Sequence, residues 1–354
     1  MLKVALAHDQ LTVYRGAERV LDVFHSMYPT APIYTTIYLK NRLPIEYEQY
    51  DIKTSFINLL PYIKNNHKIR AMLYPFGITQ FKLSNNDFNL LLSDTQGIAK
   101  GIRADSNIFH ISYIHTPPWS VWGLNDKNYR RFLQYFGQKW DYQTAQHPDI
   151  LIANSKTTQN RIRKLYNRDA EIIYPPVEIE KLRLHSKDIH EKEDYILFIG
   201  GLEGYKGEIE LARACTEMKQ KVIIIGKGKN EAVLSKFSKY VILENNVSDI
   251  QKAQYIKRAK ALFNGSNEDF GINMAETIAL GTPVIALGVG GALEIVEENK
   301  TGIFINNLNN LSIKNSIKLI NNFSYDSSYL QTQANKYDKN IFIKKIKSLI
   351  SQNI

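Results

Sequence analysis

Glu268 and Glu276 stand eight positions apart in N-E-D-F-G-I-N-M-A-E, residues 267–276, with Gly271 between them. An ionised carboxylate accepts hydrogen bonds only, so each glutamate suits a pair of hydroxyls, one on a hexose ring and the other on a ribose. Residues 261–263 read as the end of a buried strand, 265–271 as a loop, and 272–280 as a helix stopped by Gly281-Thr282-Pro283. Glu268 then precedes that helix and Glu276 lies on its second turn. The first N–H groups of a helix lack internal partners and carry the positive end of its dipole, so Phe270, Gly271, Ile272 and Asn273 can offer amides to a phosphate or sugar oxygen. Glycine at 271 admits a ligand close to the backbone. Two glutamates in a basic chain are also commonly solvated or capping residues, and the pair alone leaves that reading open.

Open parallel sheets bind ligands at the carboxyl ends of their strands, which directs attention to the loops that follow apolar runs. Gly16, in Y-R-G-A-E-R, opens the first helical stretch and can present amides to a diphosphate, although many glycines only start helices. His115, in Y-I-H-T-P-P-W, follows an apolar run at 108–114. His8 and Asp9 also follow a strand and read as residues that shape a loop. Lys206 closes the glycine-rich loop G-G-L-E-G-Y-K-G, residues 200–207. Gly226-Lys227-Gly228 and Val247 lie in later loops, as walls for a nucleotide base or as ordinary connections. Gly290-Gly291 precedes the segment holding Glu294 and forms either a diphosphate contact or a tight turn.

The elements that would position these residues are short strands alternating with helical stretches. Residues 3–7, 90–92, 108–114 and 150–153 read as buried strands, with an amphipathic stretch at 19–27. I-I-Y-P-P-V at 172–177 ends this series, because consecutive prolines extend neither a helix nor an inner strand. A second series follows at 195–199, 222–225, 241–243, 261–263, 284–287 and 303–305. Alternation of this kind predicts an α/β fold of two Rossmann-like domains with parallel sheets, at 1–178 and 179–330, and a lysine-rich helical tail at 331–354.

The composition of the 354-residue chain, 44% apolar, allows two cores of ordinary size. Its one cysteine, Cys215, excludes an internal disulfide and reads as a buried structural thiol in a reducing cytoplasm. No signal peptide and no apolar run of spanning length is read, which predicts a soluble or peripheral protein. The net charge of +10 suits diphosphates, anionic lipid or nucleic acid. Residues 52–86 contain no acidic residue, while Lys53, Lys64, Lys68, Arg70 and Lys82 alternate with Phe56, Tyr62, Tyr74, Phe76 and Phe81. Such interleaving fits a surface that touches an anionic membrane, or aromatic core residues with solvated lysines around them. No nucleic-acid motif accompanies the charge. Cys/His metal spacing, a G-x-S-x-G elbow, a P-loop and an Asp-x-Asp pair are all missing, so neither a metal ion nor a cofactor is expected.

The string from Ser266 through Gly302 resembles the nucleotide-sugar domain of the retaining family-4 glycosyltransferases, where two glutamates flank seven residues. V-A-L-A-H-D-Q-L, F-N-L-L-L-S-D-T-Q-G-I-A-K-G-I, Y-I-H-T-P-P-W and I-I-Y-P-P-V extend the resemblance over most of the chain, and within the family look most like the bacterial O-antigen mannosyltransferase branch. The resemblance implies the GT-B arrangement of two domains facing across a cleft, with the last helix crossing back to the first domain. It implies a nucleotide-sugar donor, GDP-mannose, and a lipid-linked glycan acceptor at the inner face of the cytoplasmic membrane. Alternatives are a UDP-sugar donor and a non-catalytic nucleotide-sugar-binding scaffold. In that scheme Glu268 and the amides of Phe270 to Ile272 hold the sugar, Glu276 holds the ribose, and Val247 lies by the base. Lys206 and Gly16 meet the diphosphate, and His115, through its ring or its carbonyl, serves the reacting carbon. Two departures stand out. Gly201 occupies the place of an expected arginine, for which Arg15 or Lys227 would have to substitute, and W-S-V-W at 119–122 replaces an arginine and tyrosine that bear on the acceptor.

Overall fold

The computed structural model describes residues 2–60, 67–123, 131–237 and 239–354. Tyr62 and Lys64, and the side chains of Lys68 and Arg70, lie outside that description. Two compact units divide the chain: residues Met1–Pro176 with Phe342–Ile354, and residues Val177–Ile341.

The first unit is built on β1 (Val4–His8), β2 (Ile33–Thr35), β3 (Ile52–Thr54), β4 (Lys82–Leu83), β5 (Leu90–Thr95), β6 (Arg103–Ala104), β7 (Phe109–Ile114), β8 (Ile150–Ala153) and β9 (Glu171–Ile172). Seven of these form one parallel sheet in the order β3-β2-β1-β5-β7-β8-β9, and β4 pairs with β6 beside it. The central strands β1, β5 and β7 are buried along nearly their whole length, apolar at their starts in β1 and β5 and carrying the polar groups His8, Asp94 and Thr95 at their carboxyl ends. Strands β2 and β3 escape the expected pattern. I-Y-T and I-K-T are three residues long and carry polar groups, so no apolar run marks them. The first helix spans Gly16–Met27, three residues earlier than its amphipathic stretch, because the Glu18 carboxylate accepts the Arg15 N–H at 2.7 Å and caps the opening turn. β9 ends at Ile172 on the sheet edge, just before the prolines.

The tail is not one helix. Ser327–Ala334 ends in a turn at Asn335–Tyr337, and a new helix, Lys339–Asn353, begins where the Asp338 carboxylate takes the Asn340 N–H at 2.8 Å. Phe342, Ile346, Leu349 and Ile350, at helical spacing, are buried in the core of the first unit, with the Phe342 ring 5.7 Å from that of Phe24.

The second unit carries β10 (Tyr195–Ile199), β11 (Lys221–Ile225), β12 (Val241–Glu244), β13 (Ala261–Asn264), β14 (Val284–Leu287) and β15 (Gly302–Ile305). They form a parallel sheet in the order β12-β11-β10-β13-β14-β15. Its order reverses between β10 and β13, the point at which open α/β sheets bind ligands. Cys215 is fully buried in this core, and burial pushes its thiol up to about 12. Among the described residues no helix is long and apolar enough to cross a membrane.

Candidate functional site

The loop after β13 is held from within. Asn264 Oδ1 accepts the Ser266 N–H at 3.0 Å, and the Ser266 hydroxyl lies 2.8 Å from that oxygen and 3.0 Å from Glu268 Oε1. The same Glu268 oxygen takes the Lys206 ammonium at 2.8 Å, so the loops after β10 and β13 meet in an ion pair about one-fifth exposed at each partner (19% and 24%). Gly291 N–H donates to the Glu268 carbonyl at 2.8 Å. A Cβ on Gly291 would overlap the Phe270 carbonyl and one on Gly290 the Glu268 carbonyl, which makes these glycines a clamp on the Glu268 loop. Gly271 turns the chain at φ +94°, a left-handed conformation that favours glycine, and starts the helix Ile272–Ala279. Phe270 is buried, its ring 5.3 Å from Tyr337, and Ile272 is half-buried.

Glu276 is 2% exposed and ion-paired with Lys252 from the helix Asp249–Arg258. Lys252 also donates to Asn273 Oδ1 at 2.9 Å, and the Asn273 amide donates to the Ile199 carbonyl at 3.2 Å. The second glutamate is thus tied through Lys252 and Asn273 to the end of β10. Nothing in the local pattern around Lys252 marks it, because its partner lies 24 residues away. Val247 is half-buried in the loop that leads to Ser248, the N-cap of the Lys252 helix. Lys227 donates to Asn246 Oδ1 at 2.7 Å and so joins the loops after β11 and β12. Gly201 is exposed, and a Cβ there would meet nothing nearer than Glu203 Cγ at 3.9 Å.

In the first unit the carboxyl ends of β1, β5 and β7 bring together a buried polar group. Asp94 is fully buried, with Oδ2 2.9 Å from His8 Nδ1 and Oδ1 2.5 Å from His115 Nε2. His8 Nε2 lies 3.5 Å from Glu18 Oε1. Burial opposes charge on His8, yet the hydrogen bonds and negative charge of Asp94 and Glu18 outweigh it and push its pKa up to about 10. Burial alone would raise Asp94; His115 and His8 instead hold it below the usual carboxylate range. These contacts favour the protonated form of His8 and tie the end of β1 to β5 and to the first helix. Asp9 does shape its loop: its carboxylate accepts from the Thr95 hydroxyl at 2.6 Å and from the Gln96 and Ala99 amides at 2.8 and 2.6 Å. The His115 carbonyl already accepts the Thr158 hydroxyl at 3.0 Å, which leaves one of its lone pairs for any further contact. Beyond it, the Arg161 guanidinium stacks 4.3 Å from the Trp119 ring.

A Cβ on Gly16 would meet nothing within 4 Å. Gly16→Ala is therefore expected to leave the melting temperature unchanged or raise it, since alanine favours a helix by up to about 1 kcal/mol. If amides at Gly16 meet the diphosphate, the same change raises the donor KM; a variant equal to wild type in both measurements would remove Gly16 from the donor site. Among the described residues no group of three or more His, Cys, Asp or Glu is placed to hold a metal ion.

Residues 181–339 match the family described as glycosyl transferases group 1. An uncharacterised glycosyltransferase of Methanocaldococcus jannaschii is 26% identical over 294 residues, 78% of each chain. A D-inositol 3-phosphate glycosyltransferase of Mycobacterium sp. (strain KMS) is 21% identical over 188 residues, 47% of this chain and 43% of that one. Among solved structures, Anabaena HepE in complex with UDP-glucose aligns with a TM-score of 0.70 at 18% identity over 99% of both chains. Sucrose-phosphate synthase of Thermosynechococcus elongatus aligns with a TM-score of 0.75 at 14% identity, again over 99% of both. The two parallel-sheet units have the GT-B fold, and the unit that brings Glu268, Lys206, Glu276 and Lys252 together holds the stretch, residues 181–339, that is similar to the group 1 glycosyltransferases.

Proposed function

We propose that the protein moves a hexose, mannose from GDP-mannose, onto a hydroxyl of a lipid-linked surface glycan, with retention of anomeric configuration and no metal ion. The observation that carries the donor reading is the pair of glutamate–lysine contacts, Glu268 with Lys206 and Glu276 with Lys252, at the helix N-terminus marked by Gly271. Lys206 neutralises charge on the departing diphosphate, and Glu268 and the amides of Phe270 to Ile272 hold sugar hydroxyls. Glu276, oriented by Lys252, takes the ribose, and Val247 borders the base. His115 serves the reacting carbon. The departing phosphate helps deprotonate the acceptor, so no protein nucleophile is required.

A UDP-sugar donor is the second reading, favoured by the similar Anabaena structure with UDP-glucose. A panel of GDP-mannose, UDP-glucose and UDP-N-acetylglucosamine, followed by thermal shift and calorimetry, separates the two, because a ligand of the folded state raises its melting temperature. The GDP-mannose reading requires the largest shift with that donor and transfer that persists in EDTA. Binding of none of the three would sink the donor assignment, and binding without transfer to any lipid-linked acceptor would leave a scaffold.

The acceptor reading draws on the first unit. Phe56, Leu59, Ile69, Met72 and Phe76 are exposed, with Leu59 at 78% and Phe76 at 65%, in a segment free of acidic residues. Apolar side chains among basic ones match an anionic membrane surface. Leu59→Ser with Phe76→Ser is expected to reduce co-sedimentation with phosphatidylglycerol vesicles about fivefold or more, while soluble donor hydrolysis stays unchanged. Undiminished vesicle binding would remove this face from the membrane contact.

A further inference from the structure

The second unit has a pocket of about 210 Å³ lined by Arg183, Lys187, His190 and Lys257, with Leu280 and Gln331 closing it and, among the described residues, no carboxylate in its wall. Its position separates it from the donor loops. Lys187 and His190 precede β10, Lys257 lies in the last turn of the helix before β13, and Leu280 lies just before β14. All therefore stand at the amino ends of the strands, whereas Lys206 and Glu268 follow the carboxyl ends.

Capping explains part of this charge. Arg183 donates to the Gln331 carbonyl at 3.2 Å, and Lys257 donates to the Leu280 carbonyl at 3.1 Å, as cations do at helix ends. It does not explain the rest. Lys187 and His190 are exposed at the same wall, and among the described residues their side chains have no hydrogen bond or ion pair, so they are available to a ligand entering from solvent. Burial, and then the charge of Arg183, hold Lys257 below the usual ammonium range, as expected where positive groups share a site without a counter-ion. The volume accommodates a phosphate or a diphosphate, and the guanidinium and ammonium groups supply the charge-assisted donors such an anion takes.

We propose that this pocket binds a small phosphate-bearing anion at a site separate from the nucleotide-sugar donor. Leu280 directly follows the helix Ile272–Ala279, which carries Glu276, so the bound anion contacts the far end of an element of the donor site.

Calorimetry of the full chain with inorganic pyrophosphate tests it, and Lys206→Ala removes competition from the donor diphosphate position. In that background pyrophosphate is expected to bind with one-to-one stoichiometry, and Lys187→Ala with His190→Ala to weaken it at least tenfold. Those two changes leave the capping contacts of Arg183 and Lys257 in place, so an unchanged melting temperature confirms folding. No binding in the Lys206→Ala background, or equal affinity with and without Lys187 and His190, overturns the proposal. Binding of phosphatidylglycerol vesicles but not of pyrophosphate through Lys187 and His190 would assign the face to lipid headgroups and likewise overturn it. The outcome is independent of the donor panel, which reads nucleotide sugars at Lys206 and Glu276.

Discussion

Lys206→Ala is expected to lower kcat/KM for the donor by about 10²–10³, the cost of removing one fixed positive group from a site of developing negative charge. The Lys206 ammonium lies 2.8 Å from Glu268 Oε1, so each neutralises the other. Under the proposed function an incoming diphosphate competes for the ammonium and frees the carboxylate for a sugar hydroxyl. In the alanine variant the diphosphate loses its cation and meets the uncompensated Glu268 charge in its place, so binding and turnover both suffer. Replacing Glu268 by Gln in the same chain removes that repulsion. The double variant is therefore expected to lose less than the product of the two single losses, a coupling that a double-mutant cycle measures directly. Lys206→Arg restores part of the activity by keeping the charge. Donor kcat/KM within threefold of wild type in Lys206→Ala would refute the role, and strict additivity would show that the pair does not work as one site.

The sequence made the inner strands readable for a physical reason: Tyr195–Ile199 and Val284–Leu287 lie inside a parallel sheet with both faces covered, so every residue can be apolar. β2 and β3, three residues each, alternate with polar groups and leave no such trace. The tail divides at Asp338 because a single capping carboxylate restarts the helix, a signal that lysine-rich periodicity on either side conceals. Around the candidate site, Gly271 and Glu268 are legible from strand, loop and helix punctuation alone. Their companions are not. Lys252 reaches Glu276 across 24 residues, and His8 reaches Asp94 across 86, so only the packing of the sheet brings them together. Gly290 and Gly291 show the same limit. Read locally they are a turn or a phosphate contact, and folded they are the space that the Glu268 and Phe270 carbonyls occupy.

Asp94→Asn is expected to cost about 3–5 kcal/mol of stability, the usual penalty for breaking one side of a buried charged pair. The fully buried carboxylate faces two imidazoles, and its loss leaves His8 with Glu18 alone at 3.5 Å. The dependence on pH identifies the cause. His8, pushed up to about 10, contributes stability that is complete below its unfolded value near 6.5 and is lost as pH rises through 10. Asp94, held low, contributes stability present above its unfolded value and lost as pH falls through its folded one. His110 works in the opposite sense to His8: burial pulls it down to about 3, so its contribution is present above pH 6.5 and fades as the unfolded chain takes up protons below it. Denaturant unfolding of the wild type should therefore lose up to about 1.4 kcal/mol per pH unit between 6.5 and 10 from His8. Asp94→Asn should flatten that alkaline slope while keeping the acid slope owed to His110. Asp94 also fixes the His115 ring through its 2.5 Å contact, so at a temperature where the variant remains folded, kcat is expected to fall about 10²-fold with donor KM nearly unchanged. An alkaline slope that survives the substitution would detach His8 from Asp94. A stability loss with wild-type kcat would make the network purely structural and remove His115 from the reacting centre.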